Sequence, residues 1–342
     1  MILAGDIGGT NTRLALFNTA RIEAAAPGQL VPDVSRVYPS RSFPDLTGII
    51  EQFLHDHPAQ IHSCCLGVAG PVDGNISRAT NLPWLIDATA LAAQFGFAHI
   101  SLINDLLANA HGIRALSPDD LLTVNPGRRD PAGNCAVISA GTGLGEAGMF
   151  WDGSRYIPFA TEGGHCDFGP RNELQFALAR HLQDTLGHVS YETVLSGSGL
   201  EHLYDFIVGE DTAEKEPSWL LARFEEMGKA AAISATAVGG EHLACSRALD
   251  LYLEIYGQEA GNLALKTLAR GGIFLGGGIA AKLATTIQQS EGFKRGFCNK
   301  EKMAALMESI PIRVILNDDT ALLGAALVAA GALGLNTPSS LP

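Results

Sequence analysis

The chain opens on a short apolar run, Ile2 to Gly5, that stops at Asp6. After a glycine-rich polar stretch, a second run begins at Arg13-Leu14-Ala15-Leu16-Phe17. Two apolar runs of strand length joined by a glycine turn predict a β-hairpin, with the acidic residue closing its first strand. A near-echo follows about 130 residues on: CAVISAG from Cys135, then TGLG, then EAGMFW. The repeat predicts a duplicated architecture, one copy per lobe. Between the copies, Phe43, Leu46, Ile49, Ile50, Phe53 and Leu54 recur at helical spacing behind Ser42 as N-cap. SCCLGVAG reads as a buried strand, PVDGN as a turn, and Asp87 as the cap of a helix over ATALAAQF. HISLIN is another short apolar strand, and it runs directly into Asp105 and a helical LLANAHGI.

Beyond Gly164 the pattern turns mostly helical, over about Glu173 to Leu186, Gly199 to Val208, Ala230 to Thr236 and Cys245 to Ala269. GGIFLGGGIAAKL then gives a strand, a glycine turn and a helix start, and IRVIL a last strand. Ala321 onward is a final helix, and Pro338 to Pro342 a frayed tail. Strands alternating with helices predict an α/β fold, whose ligands gather at the C-terminal ends of strands.

Length and charge narrow this picture. At 342 residues the chain exceeds one ordinary domain, so two lobes are expected. A formal charge of -13 with 23 Lys and Arg argues against a nucleic-acid partner, since phosphate contacts need clustered cations. A phosphorylated ligand would therefore rely on backbone amides and a metal. The six cysteines form no CxxC and no framework spacing, which predicts free thiols in a reducing, cytoplasmic setting. The start MILAGD meets Asp6 before any signal-like run develops. The longest uncharged run, Ala321 to Leu335, is shorter than the roughly 20 residues that span a bilayer, so it predicts a buried helix and no membrane partner.

Three glycine clusters carry candidate chemistry: Gly8-Gly9-Thr10, Gly141-Thr142-Gly143-Leu144-Gly145 and Gly276-Gly277-Gly278. Glycine permits positive φ and close backbone approach to an anion, although one such cluster alone is as readily a tight turn. Three together, two of them in matched hairpins, favour a nucleotide held between lobes. No GxxxxGK[ST] is present, and GGGIAA fits the weaker dinucleotide fingerprint without a clear βαβ unit around it. Asp6 stands where a carboxylate orients Mg²⁺ near nucleotide phosphates, or where it stabilises its own turn. Asp105, after Asn104 at a strand end, reads equally as a general base toward a hydroxyl and as a helix cap. In TEGGHCDFG, His165, Cys166 and Asp167 all have ligating atoms. Yet adjacent residues rarely converge on one ion, and no second Cys or His pair completes a tetrahedral zinc site. A carboxylate and an imidazole separated by two glycines suit the neighbouring hydroxyls of a polyol better.

Taken together, GDIGGTNTRLAL, INDLLA, SAGTGLG, EGGHCDFGP, GHVSYETVLSGSGL and LGGGI occur in the order and approximate spacing of bacterial glucokinases. The chain resembles that branch of the hexokinase, Hsp70 and actin ATPase superfamily from residue 2 to about residue 330. The related ROK sugar kinases carry a cysteine-rich zinc motif after an equivalent loop, whereas CDFGPRNE holds only Cys166. The similarity is therefore to the zinc-free branch, and because the sequence opens on the hairpin a DNA-binding extension before it is not expected.

The resemblance implies a two-lobed actin-like, ribonuclease H-like α/β fold with a ligand cleft between its domains. A small α/β domain over 1–114 would be completed by a C-terminal helix at about 319–335, beside a larger α+β domain over 115–318. It implies ATP-dependent phosphorylation of glucose at the 6-hydroxyl, the first step of glycolysis, by a cytoplasmic homodimer using Mg²⁺. Residue by residue, Asp6, Gly8, Gly9 and Thr10 match the first phosphate loop, with Asp6 toward the metal. Gly141, Thr142 and Gly143 match the second loop, and Gly277 and Gly278 the adenosine end. Asp105 matches the general base; Asn104, Glu162, His165 and Glu192 match glucose contacts, and Asn81 lies in a similar stretch near the sugar. A kinase for another hexose or phosphodonor such as polyphosphate, and a non-catalytic sugar sensor, remain as alternatives.

Overall fold

A computed structural model describes residues 1–210 and 216–342. Two compact units emerge, one of Met1–Leu121, Ala147–Ala160 and Asn317–Pro342, the other of Leu122–Glu146 and Thr161–Leu316.

The first unit is built on strands β1 (Ile2–Ile7), β2 (Asn11–Phe17), β3 (Val34–Pro39) and β4 (Ser63–Val68). A three-stranded ribbon, β5 (Val72–Asp73), β6 (Ile76–Arg78) and β7 (Leu85–Asp87), precedes β8 (Ile100–Asn104). The main sheet has the order β3-β2-β1-β4-β8. The predicted hairpin is antiparallel, with Asp6 opposite Arg13, while β4 joins β1 and β8 in parallel. Burial of every residue of β4 explains its unbroken apolar run, because a strand covered on both faces has no polar side to alternate.

The helix predicted from Phe43 starts later, at Leu46, and is capped by Asp45, whose carboxylate accepts from Gly48 N, rather than by Ser42. Pro44 has no N–H and disfavours helical φ/ψ in the residue before it, so Phe43 is extended and Ser40–Ser42 forms a separate 3₁₀ turn. Asp87 caps Ala88–Phe95 as its position predicts, accepting from Thr89 N and Ala90 N. The Ala/Gly-rich helix Thr320–Ala332 is buried along most of its length and packs on β1, β4 and the helix Asp105–Gly112. A methyl at Gly112 would overlap Thr320 O, and one at Gly324 would overlap Ala108 O, so the two helices cross backbone to backbone. The expected frayed tail is corrected at Leu341, which is buried because an apolar side chain gains by leaving water even near a terminus.

The remaining strands are β9 (Leu121–Asn125), β10 (Cys135–Ala140), β11 (Leu144–Trp151), β12 (Tyr156–Thr161), β13 (Gly272–Gly276) and β14 (Ile312–Ile315). Their order is β12-β11-β10-β13-β14-β9, with β10, β13 and β14 parallel. The series β12-β11-β10-β13-β14 repeats the plan of β3-β2-β1-β4-β8: two chain-consecutive neighbours on one side of the first strand, parallel crossover strands on the other. The duplication expected from the two sequence echoes is thus present in the strand order. In the second unit the 25-residue helix Leu243–Thr267 buries Tyr252 and Tyr256 in the core. Among the described residues no helix is long and apolar enough to cross a membrane.

Candidate functional site

In the first unit, β1 ends at Asp6 and Ile7 and the chain turns through Gly8-Gly9-Thr10. Gly8 N donates to Asn11 O at 3.0 Å to close this turn, and Ser40 fastens it from outside, with Oγ donating to Gly8 O at 2.8 Å and N to Thr10 O at 2.9 Å. Asp6 is half-buried behind the turn. Burial first, tempered by Arg13 and reinforced by Asp319, pushes its carboxyl up to about 6. Arg13 is itself paired with Asp319, at the start of the C-terminal helix, and donates to Asp318 O at 3.1 Å. A carboxylate held in such surroundings is stabilised by a nearby cation, and Asp6 supplies one hard oxygen donor of the kind that Mg²⁺ takes.

Asn81 sits against the same turn: a methyl at Gly9 would lie 2.7 Å from Asn81 Cβ. The space required of Gly9 is steric, and positive φ is absent from Gly8, Gly9, Gly141 and Gly143; within the three clusters only Gly277 adopts it, at φ 84°. Of the two properties of glycine that the sequence raised, close approach rather than positive φ applies at Gly9 and Gly143.

At the end of β8, the helix Asp105–Gly112 begins. Asn104, not Asp105, is its N-cap: Asn104 Oδ1 accepts from Leu106 N at 2.9 Å and Leu107 N at 3.3 Å, and its Nδ2 donates to Gly70 O at 3.4 Å. Asp105 is the first helical residue, with Oδ1 accepting from Leu106 N at 2.9 Å. Between cap and base, the two readings left open by the sequence, the capping duty belongs to the asparagine.

In the second unit, Gly141-Thr142-Gly143 follows β10 as Gly8-Gly9-Thr10 follows β1. Gly141 N donates to Gly143 O at 2.9 Å, and Gly197 N to Gly141 O at 2.9 Å. Glu192, in the short helix Tyr191–Leu195, lies on this turn: its Oε2 accepts from Leu144 N at 2.8 Å, and a methyl at Gly143 would overlap that oxygen. Gly277, after β13, is packed against the same strand end, since a methyl there would overlap Ala140 O, while Gly278 faces open space.

Glu162 and His165 flank a 3₁₀ turn, Gly163–His165, with Glu162 Oε2 and His165 Nε2 4.0 Å apart and both side chains exposed. The two glycines are fixed by crowding from beneath. A methyl at Gly163 would overlap Glu146 Oε2, and one at Gly164 would overlap Leu144 O. Thr161 braces the turn, its Oγ1 donating to Glu146 O at 3.0 Å and accepting from Gly163 N at 3.2 Å. Cys166 is exposed, and Asp167 pairs with His188 at 2.8 Å. Among the described residues no group of three or more His, Cys, Asp and Glu is arranged to hold a metal.

Thus the structure joins Gly9 to Asn81, Asn104 to the loop at Gly70, Gly143 to Glu192, and Glu162 to His165. Asp6, Gly8, Gly9, Thr10, Asn81, Asn104 and Asp105 belong to the first unit; Gly141, Thr142, Gly143, Glu162, His165, Glu192, Gly277 and Gly278 belong to the second. Several contributors were missed in the sequence reading: Ser40 and Arg13 around the first turn, and Glu146 with Glu259 beneath Gly163. For Arg13 and Glu146 the signal was a charge inside an apolar run, RLALF and EAGMFW, which a strand pattern alone leaves unexplained; Ser40 and Glu259 carried no such signal.

The glucokinase family model matches residues 3–332. A glucokinase of Nostoc sp. strain PCC 7120 is 40% identical over 344 residues, covering 96% of this chain and 99% of its own. The crystal structure of a glucokinase from an Antarctic psychrotroph superposes with a TM-score of 0.81 at 30% identity, covering 96% of this chain and 98% of the other. A Balamuthia mandrillaris glucokinase in complex with glucose shares the fold at a TM-score of 0.77 and 21% identity, with 96% and 93% covered.

Proposed function

Because this chain belongs to the glucokinase family, we propose that it transfers the γ-phosphoryl group of ATP to the 6-hydroxyl of glucose, giving glucose 6-phosphate and ADP. The observation that carries the reading is the division of labour at the end of β8. Asn104 takes up Leu106 N and Leu107 N with its amide oxygen, and Asp105, as the first helical residue with Oδ1 on Leu106 N, stands at the C-terminal end of a strand, where a carboxylate can meet a substrate hydroxyl.

In this reading Asn104, Glu162, His165, Glu192 and Asn81 hold the sugar hydroxyls, charged acceptors being suited to the O–H donors of a polyol. Glu192 already gives one oxygen to Leu144 N, so a single carboxylate fixes the second glycine turn and meets the sugar with its other oxygen. The turn-closing bonds use the N–H groups of Gly8 and Gly141, so phosphate is met by the amides that follow them in each turn. Gly277 and Gly278 lie toward the adenosine. Asp6 would hold Mg²⁺, which when bound offsets phosphate charge. Asp105 accepts the 6-hydroxyl proton as that oxygen bonds to the γ-phosphorus and the bond to the β-bridging oxygen of ADP breaks. A cytoplasmic homodimer is part of the same proposal.

Glucose-dependent ADP release from ATP tests it directly. Robust ADP release with glucose, exceeding that with mannose or glucosamine, and more glucose 6-phosphate formed with ATP than with polyphosphate as donor, are expected; glucose binding with neither ADP release nor glucose 6-phosphate formation would make the protein a sensor instead.

A further inference from the structure

Beneath the Glu162–His165 turn lies a buried polar network that the phosphoryl transfer above does not use. Glu146 is 1% exposed and Glu259 is fully buried, on β11 and on the helix Leu243–Thr267 respectively. The two carboxyls are within hydrogen-bonding reach of each other, and one cation, Lys266, serves both. Its Nζ lies 3.2 Å from Glu259 Oε1. Glu259 also accepts from Asn262 Nδ2 at 2.8 Å, and that amide donates in turn to Tyr191 OH at 3.0 Å. Glu146 Oε1 is buried and has no hydrogen-bond partner among the described residues. Two ionised carboxylates buried behind one ammonium, whose own side chain is 53% exposed, would leave a buried negative charge uncompensated, which is strongly unfavourable. A single shared proton removes that charge.

We infer that Glu146 and Glu259 share one proton and that this neutralised pair is the positioning unit of the Glu162–His165 turn. Glu146 Oε2 abuts the backbone of Gly163, and its carbonyl anchors Thr161, which binds Gly163 N. Across the network, Tyr191 N donates to Cys166 O at 2.9 Å, and Tyr191 immediately precedes Glu192. The pair therefore underlies Glu162, His165 and Glu192 together. The inference rests on the reading of these three as sugar contacts.

Burial first, then Glu259, raises the Glu146 carboxyl, with Lys266 opposing, to about 8. The charged and titratable groups around the pair are Lys266, Tyr191 and Tyr256, with Cys166 acting on Lys266 and, further along, Lys300, whose ammonium is lowered to about 8 by burial and Arg171. Loss of the shared proton places a second negative charge directly under Gly163, and the turn loosens.

The test compares the parent protein with Glu146→Gln, a neutral isostere, between pH 7 and 9. In the parent, KM for glucose is expected to rise above pH 8 by up to about tenfold per pH unit, with kcat following the same course in both proteins. In Glu146→Gln the rise in KM should be absent. A second readout needs no glucose: amide hydrogen exchange across 161–168, corrected for intrinsic rate, should quicken above pH 8 in the parent and not in the variant. Should Glu146→Gln fail to fold, Glu259→Gln leaves a single carboxylate facing Lys266, and both breaks should be absent between pH 7 and 9. An unchanged break in whichever variant folds overturns the inference. Absence of glucose turnover in the parent, with the exchange break intact, would overturn the functional reading and leave the shared proton standing.

Discussion

At the scale of single residues, the proposed chemistry sits on side chains whose neighbours carry most of the local backbone bonding. Asn104 caps the helix whose first residue is Asp105, and Thr161 holds the turn on which Glu162 and His165 are exposed. Asp105→Asn should fold and bind ATP while kcat falls by about 10² to 10⁴, the usual cost of losing a general base. Near-normal turnover in that variant would take Asp105 out of the mechanism. Glu162→Gln should act mainly on KM for glucose, and an unaltered KM in steady-state assays would count against a sugar contact there. The Asn104-Asp105 pair was visible in the sequence, but which of the two caps the helix depends on backbone dihedrals: Asn104 is extended, at φ -64° and ψ 149°, and only such a residue turns its side chain back onto the N–H groups ahead.

At the scale of elements, the helix that carries Asp105 is set by its crossing with Thr320–Ala332. Gly112 and Gly324 let the two backbones touch, so Gly324→Ala must drive a methyl into Ala108 O. Overpacking of this kind costs about 1 to 3 kcal/mol, and chemical denaturation should show a loss of that size. A shift of Asp105 should accompany it, lowering kcat although residue 324 touches no substrate; a variant with parental stability and kcat would show that the crossing has slack. The uncharged, Ala/Gly-rich run ALLGAALVAAGALGL predicted a buried helix, and the helix is buried. Its partner was not declared, because small residues permit close packing without specifying against what. Likewise the spacing from Phe43 gave a helix but misplaced its start, where Pro44 and Asp45 outweighed apolar spacing.

At the scale of the whole molecule, buried ionisable groups bound the pH range of stability. His111 is lowered to about 4 by burial and by Arg114, and an imidazole held neutral contributes stability above its unfolded value near 6.5 that is lost as pH falls toward 4. Glu146 has the opposite sense: a carboxyl raised to about 8 destabilises progressively as pH rises from about 4.5 toward 8. Calorimetric Tm should therefore decline on the acid side, less steeply in His111→Gln, and Glu146→Gln should be more stable than the parent by a margin that widens from pH 5 to 8. Parallel Tm profiles for parent and variants would show that neither group is linked to folding.

By itself, the sequence determined the hairpin with Asp6 at its strand end, the strand and helix succession, the family and the glycine-rich turns. These depend on local periodicity, turn chemistry and short motifs, all of which are written in consecutive residues. Tertiary structure alone decided that β12-β11-β10-β13-β14 retraces β3-β2-β1-β4-β8, that Gly9 is small because Asn81 stands over it, and that Glu146 meets Glu259 under Gly163. Those facts join positions far apart along the chain. Steric contact and shared charge act through space, and spacing along a chain carries no measure of either.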